Sequence, residues 1–361
     1  MRGVLFTADR EVVLSDAIEF AEPTPAPNQV LVEIEAAGLC HSDLSVIDGT
    51  IPFPPPVVLG HEGAGRVIEV GSAVTTVEPG DHVVLATLGN CGHCKFCDTG
   101  RPTLCRDTFG VNVLRQPFVV DGEKVFQFAN TSAFADRALV KASQAIKIPD
   151  EVPAAQASLI GCGVLTGVGA VFNRAKVQPG DAVAVFGVGG IGLNVIQAAA
   201  LKNATTIIAV DTNPDKESFA REFGATDFVD ASEADSVEAI KDLTGGEGVD
   251  SGFECVGHPA VLRNAVDALA PGGNAIILGV PKLGSEASFM VASMYQDKGI
   301  LACRYGTSRP QADIPMLAEL YLAGKLKLDE LVTCTYPLEE FDAAVEDMHA
   351  GKLARGVFEL T

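Results

Sequence analysis

Four cysteines fall in one short run, NCGHCKFCDTGRPTLC at residues 90–105, as Cys91, Cys94, Cys97 and Cys105. The spacing Cys-x2-Cys-x2-Cys-x7-Cys brings four thiolates round one ion and closes a tetrahedral zinc shell with no position left over, which makes such a site structural. An iron–sulfur cluster is the rival occupant, and a reduced, metal-free loop is the plainest alternative. Gly92 and Gly100 permit tight turns between ligands, and His93 reads as a surface residue. A second constellation is VAVFGVGGIG at residues 183–192, with Gly187, Gly189 and Gly192 in the order GxGxxG. It follows an apolar run and opens a second one, the context in which the first glycine makes a tight turn, the second admits a pyrophosphate and the third lets helix and strand pack. The helix start offers free N–H groups to the phosphates. The next apolar run, TTIIAVD, ends at Asp211, 19 residues after Gly192. A carboxylate there accepts hydrogen bonds from ribose hydroxyls and repels a 2′-phosphate, which favours NAD over NADP; Thr212 and Asn213 follow, with no arginine to receive that phosphate. Three further residues carry metal-ligand chemistry: Cys40 in CHSD, His61 in GHEGAG beside Glu62, and Cys162 in GCGVLTG. Singly, each also suits a packed core, where a buried cysteine is inert, and local spacing does not join them.

The elements that must carry these residues change character along the chain. The first third holds the β-rich runs EVVLSDA, QVLVEIEAAGL, GAGRVIEVGS and DHVVLATL, broken by Pro23, Pro25, Pro27 and the run from Pro52 to Pro56. It predicts an antiparallel, barrel-like module without long helices. From about residue 164 apolar strands alternate with helical segments: AVAVFGV, IGLNVIQAAALK, TIIAVD, DKESFAREFG, DFVD, SVEAIKDLTG, VDSGFECVG, PAVLRNAVDAL and GNAIILGVP. That alternation predicts a doubly wound parallel sheet. Two helices, ADIPMLAELYLAGK and LEEFDAAVEDMHAG, are expected in the last 50 or so residues.

Composition excludes other classes. The 361 residues suffice for two domains, and 47% are hydrophobic, so a packed protein is expected. A net charge of −21 opposes nucleic acid and anionic membranes as partners. The N-terminal MRGVLFTADREVVLS lacks the apolar core of a signal peptide. Residues 182–201 are long enough to span a bilayer, but their clustered glycines, Asn194 and Gln197 read as strand, turn and helix. Nine cysteines without a secretion signal point to metal or catalytic use in a reducing, cytoplasmic setting.

Taken together these residues resemble the zinc-dependent medium-chain alcohol dehydrogenase family. Gly60-His61-Glu62-x-x-Gly65-x5-Gly71-x2-Val74 is similar to its zinc signature, GCGVLTGVGA to its third ligand segment, the four-cysteine run to its structural lobe, and FGVGGIG with VDTNPDK to its cofactor domain. Among its branches, the chain is nearest the thiol-dependent formaldehyde dehydrogenases and the aryl or terpenoid alcohol dehydrogenases. The resemblance implies a GroES-like β-barrel catalytic domain at 1–163 and 305–361, with the zinc lobe at 90–106, and a Rossmann domain at 164–304. It implies two zinc ions per subunit and NAD. Cys40, His61 and Cys162 would hold the catalytic zinc with one position open, and Asp43 would orient the His61 ring. Glu62 would lie behind the metal. Ser42 would take the alcohol proton, and His41 and Arg355 would meet the cofactor pyrophosphate. Gly187, Gly189, Gly190, Ile191, Gly192, Asp211, Lys216, Thr166 and Val280 would form the cofactor site, with Thr87, Leu88 and residues 108–118 bordering the substrate. One departure is Ser45, where many relatives carry a proton-relaying histidine. The implied activity is NAD-linked oxidation of a primary, bulky aryl or allylic alcohol by a homodimer, with a tetramer as runner-up. The alternatives are a thiol-adduct formaldehyde dehydrogenase, a polyol dehydrogenase, a zinc-ribbon binding module, and a non-enzymatic scaffold. Cys255, Cys303 and Cys334 are left to the core.

Overall fold

Alternating side chains in QVLVEIEAAG build the strand Gln29–Gly38, which buries one face and organises a seven-stranded sheet. It pairs antiparallel with Glu62–Val70, Arg137–Lys141 and Arg355–Glu359. The register matters for the site. Gly38 lies opposite both Glu62 and Val357, and the chain turns at once into Cys40. Residues distant in sequence therefore gather at one end of this sheet. A computed structural model describes residues 1–360, with Val111 and Asn112 described by backbone alone.

The chain forms two compact units, Met1–Cys162 with Arg309–Thr361, and Gly163–Ser308. The first holds the seven-stranded sheet and a six-stranded one. Its core centres on Val30, Val32, Ile34, Val67, Leu85 and Phe134, with Phe134 set edge-on to Phe358 at 5.0 Å. The sheets depart from the antiparallel expectation at two places: Val57–Val58 pairs parallel with Glu123–Gln127, and Val332–Pro337 parallel with Arg355–Glu359. The second pairing has a plain cause, since the helix Phe341–His349 supplies the crossover that parallel strands require.

The second unit is the expected doubly wound sheet. Its six parallel strands run in the order Asp227–Asp230, Thr206–Asp211, Ala182–Phe186, Val249–Glu254, Leu269–Ile277 and Gly299–Ala302. Strand order reverses beside Ala182–Phe186, which opens a ligand crevice at its C-terminal end.

One long helical run lay outside the sequence reading. Residues 154–175 form consecutive α and π turns: Ala154–Leu159, Ile160–Val164, Leu165–Gly169 and Ala170–Ala175. Gly161, Gly163, Gly167 and Gly169 interrupt it, and it is apolar all round, so no amphipathic period announces it. Among the described residues it is the helix long and apolar enough to cross a membrane, yet 83% of that window is buried inside the fold. It is a core helix.

His82 begins the strand His82–Leu85 and is buried. Burial lowers its pKa, Arg66 lowers it further, and Glu35 (4.0 Å) and Asp150 oppose both. The folded state therefore prefers neutral imidazole, so His82 contributes stability above the unfolded pKa, about 6.5, that is lost as pH falls below it. Urea midpoints at pH 7.5 and 5.5 will differ less for His82→Gln than for the wild type. An equal drop in both proteins would refute this role.

Candidate active site and metal centres

The cluster at the sheet end is assembled by backbone geometry first. Cys40 leaves the strand in extended conformation and caps the helix His41–Ile47. Asp43, in that helix's first turn, is fully buried. Its Oδ2 accepts from the Cys40 N–H (3.2 Å), and its Oδ1 accepts from the Gly60 N–H (3.1 Å). The same Oδ1 meets His61 Nδ1 at 3.0 Å. A carboxylate there requires Nδ1 to carry the proton, which leaves the lone pair on Nε2. His61 Nε2 is buried and has no hydrogen-bond partner among the described residues. Gly60 is required at φ +90°, where the chain packs against Phe134 and no side chain fits. Cys162 arrives on the π turn Ile160–Val164. Gly161 beside it lies so close to the Leu85 carbonyl that a Cβ would overlap it.

One donor atom from each of Cys40, His61, Glu62 and Cys162 lies within 4.8 Å of the others, and all four residues are buried. Two thiols, a bare imidazole nitrogen and a carboxylate behind them fit a zinc ion. The hydrogen bond from Cys162 holds the Cys40 pKa well below the thiol range despite burial, helped by the Arg355 charge, while the same bond and burial push Cys162 well up. Burial lifts Glu62 to about 7 against the pull of Arg355. Arg355 pairs with Glu62 (3.3 Å) and donates to the Leu39 carbonyl (3.1 Å), both internal contacts that the sequence did not indicate. Ser42 is half-buried, with its Oγ 3.9 Å from Cys40 Sγ, and His41 is exposed. The Phe128 ring stands edge-on to the His61 ring at 5.5 Å, and Phe53 edge-on to Phe128 at 5.5 Å. No pattern in the sequence marked this aromatic wall. Thr87 and Leu88 are buried just beyond His82–Leu85, and the Thr87 hydroxyl is without a partner among the described residues. Of residues 108–118, Thr108 is buried and Phe109 is 43% exposed. The side chains of Val111 and Asn112 lie outside the described residues.

The second cluster is Cys91, Cys94, Cys97 and Cys105, again within 4.8 Å of one another. Cys94 and Cys97 sulfurs are 3.7 Å apart. A tetrahedron with zinc–sulfur bonds of about 2.3 Å has edges of about 3.8 Å, whereas a disulfide would bring sulfurs to about 2.05 Å. Backbone N–H groups at Cys97 and Phe96 lower Cys94 to about 7, and burial raises Cys105 to about 12. The donor set is closed, and His93 turns away to the Cys91 carbonyl (2.8 Å).

In the second unit, Gly187 adopts φ +94°, and a Cβ at Gly192 would overlap the Gly187 carbonyl. The space where a Gly189 side chain would stand is open, at the start of the helix Gly190–Leu201. Asp211 ends its strand with Oδ2 accepting from Val188 N (2.8 Å) and Lys216 Nζ (3.0 Å), and Oδ1 from Asn213 N (3.0 Å). Ile191 is half-buried, Thr166 buried and Val280 54% exposed.

Comparison with known proteins agrees with this architecture. Residues 26–150 match the alcohol dehydrogenase GroES-like domain family, and residues 190–322 the zinc-binding dehydrogenase family. S-(hydroxymethyl)glutathione dehydrogenase of Photobacterium damsela subsp. piscicida is 39% identical over 352 residues, 95% of each chain. Benzyl alcohol dehydrogenase from Acinetobacter calcoaceticus superposes with a TM-score of 0.92 at 35% identity, covering 100% of this chain and 99% of that one. An alcohol dehydrogenase zinc-binding domain protein from Burkholderia ambifaria gives 0.93 at 38%, covering 100% and 98%. The chain belongs to the zinc-binding alcohol dehydrogenase family, nicotinamide-linked oxidoreductases with a GroES-like and a Rossmann domain.

Cys97→Ser opens the closed shell while leaving the buried cluster intact. Zinc content should fall from two ions per chain toward one, with stability reduced on the order of several kcal/mol. Atomic absorption and thermal melting test this, and full zinc content with an unchanged melting point would contradict it.

Proposed function

We propose that this chain interconverts a bulky primary alcohol, aryl or allylic, and its aldehyde, using NAD and a zinc ion held by Cys40, His61 and Cys162. The observation that carries the reading is the bare His61 Nε2 between two thiols, with the rings of Phe128 and Phe53 beside it. Zinc bound there supplies a Lewis acid that lowers the pKa of the alcohol hydroxyl. Asp43 keeps His61 in the tautomer that can ligate. Ser42 takes the hydroxyl proton, and with Ser45 in place of a relaying histidine the proton leaves through His41 or ordered water. Thr166, Ile191 and Val280 would hold the nicotinamide, which when bound would supply the hydride acceptor. Asp211 and Lys216 would take the adenosine ribose, and Gly187, Gly189, Gly190 and Gly192 would cradle the pyrophosphate. Thr87 and Leu88 border the substrate.

The S-(hydroxymethyl)glutathione dehydrogenases favour a second reading, oxidation of a thiol adduct of formaldehyde. The apolar rings support the first, since Phe53 stands edge-on to both Phe126 and Phe128 and none of the three offers a charge to a peptide carboxylate. Thiolate ligands suit a reducing compartment, the cytoplasm.

Purified protein should reduce NAD faster than NADP with benzyl alcohol and geraniol, and Cys40→Ser should lower kcat/KM at least about 10³-fold. Turnover only with formaldehyde plus glutathione or mycothiol would transfer the proposal to the second reading. Full activity in Cys40→Ser would overturn both.

Assembly follows from the sheet edge. Among the described residues Gly299–Ala302 ends the parallel sheet with one side unpaired, and Leu283, Val291 and Tyr295 nearby in sequence are 79%, 80% and 91% exposed. A homodimer covers this apolar edge. Sedimentation equilibrium should give twice the chain mass, reduced by Val291→Asp. A wild-type monomer would contradict the proposal, and a tetramer would require a further interface.

A further inference from the structure

Residues 86–90 leave the strand His82–Leu85 and lead directly to Cys91, yet they belong to no sheet. Four of their carbonyls are held by side chains from elsewhere, and the Ala86 N–H donates to the Gln144 backbone carbonyl (2.8 Å). The Ala86 carbonyl accepts from Gln144 Nε2 (2.9 Å), the Thr87 carbonyl from Asn130 Nδ2 (3.2 Å) and the Gly89 carbonyl from Lys141 Nζ (3.0 Å). The Asn90 carbonyl accepts from Ser143 Oγ (3.2 Å), and the Asn90 amide reaches Cys97 Sγ at 3.8 Å. Gln144 and Asn130 are buried and joined, since Gln144 Nε2 also donates to the Asn130 carbonyl (3.2 Å). Gly89 has no room for a side chain without displacing the Gln144 amide, 3.0 Å from where a Cβ would stand.

Asn130 sits in a strained segment. Ala129, Asn130 and Ser132 all have positive φ, 48°, 61° and 54°. Non-glycine residues persist there only where surrounding bonds over-determine them. Those bonds lead to the catalytic cluster. The Gly60 carbonyl accepts from Thr131 Oγ1 (3.3 Å) and from the Ala133 N–H (2.9 Å), and Ser132 Oγ donates to Val58 (2.7 Å). Phe128, at the head of the segment, carries the ring set on His61.

We propose that Asn130 and Gln144 are positioning residues. They form a buried amide bridge that fixes residues 86–90 to the segment holding Gly60 and His61. The bridge sets the place of Thr87 and Leu88 at the substrate wall and ties the stalk of the four-cysteine lobe to the catalytic end of the sheet. The inference rests on the dehydrogenase reading for its kinetic consequence, though the bridge itself does not.

The test uses Asn130→Gly in the full-length, zinc-loaded protein, because glycine accepts the positive φ and only the amide is lost. Zinc content should stay at the wild-type value. Amide exchange in residues 86–90 should quicken roughly five-fold, the factor that one hydrogen bond carries. KM for the bulky alcohol should rise by a similar factor, with kcat held within about two-fold. Lys141→Met, which removes the Gly89 contact together with the half-exposed ion pair to Asp107 (3.5 Å), should move exchange and KM in the same direction by less, and it decides the matter should Asn130→Gly fail to fold. Unchanged exchange in residues 86–90 with wild-type KM would overturn the proposal. So would a loss of kcat and melting temperature with KM unmoved, since that marks a merely structural role. Should the wild type turn over no alcohol, the bulky-alcohol reading falls, and the exchange arm alone upholds or overturns the bridge.

Discussion

One buried carboxylate holds the catalytic end of the molecule together. Asp43 receives the N–H groups of Cys40 and Gly60 and faces His61 Nδ1, so it fixes two ligand-bearing backbones and one ligand ring. Burial, with the neighbouring Cys40, raises its pKa and disfavours its charge. Two backbone hydrogen bonds and the one to the His61 imidazole offset part of that cost, and they form in the folded register where Gly38 lies opposite Glu62. A buried group of this kind is expensive to leave half satisfied, which gives the arrangement its geometric definition. The same logic extends to Glu62, whose charge is answered by Arg355 from the last strand of the chain.

The two cysteine-rich clusters differ in what surrounds them. The four-cysteine lobe draws its ligands from one short run with two positive-φ glycines, Gly92 and Gly100, and three of its ligands are only partly buried. It supplies its own closed shell and little apolar area. The cluster of Cys40, His61 and Cys162 is drawn from three separate elements, is buried throughout, and offers three protein donors backed by a carboxylate. A closed site stabilises a loop that lacks a core. An open one keeps a coordination position for chemistry.

Much of this was legible from the residues. The parallel sheet announced itself through alternating strands and helices, and Gly187, Gly189 and Gly192 marked the crevice, because local periods report local structure. The first sheet system was legible as β-rich, but its two parallel pairings were not, since pairing partners lie far apart in sequence. The helical run at 154–175 escaped because uniform apolarity and four glycines erase the period that reveals a helix. Spacing could not join Cys40, His61 and Cys162. Family resemblance suggested it; the register at Gly38 brings Cys40 and His61 together, and the close approach of Gly161 to the Leu85 carbonyl sets Cys162 beside them. Phe128 and the strained residues 129–132 carried no signal beyond an asparagine at a position of positive φ, a conformation that residue tolerates better than most.

The central claim is that the buried cluster is an open metal site and the four-cysteine lobe a closed one. Cobalt substitution followed by visible absorption tests it most directly, because the ligand-field bands report coordination. The account predicts two sets of bands, one lost in Cys40→Ser and shifted by added alcohol, the other lost in Cys97→Ser and indifferent to alcohol. Bands that ignore alcohol altogether, or an alcohol response that survives Cys40→Ser, would contradict it.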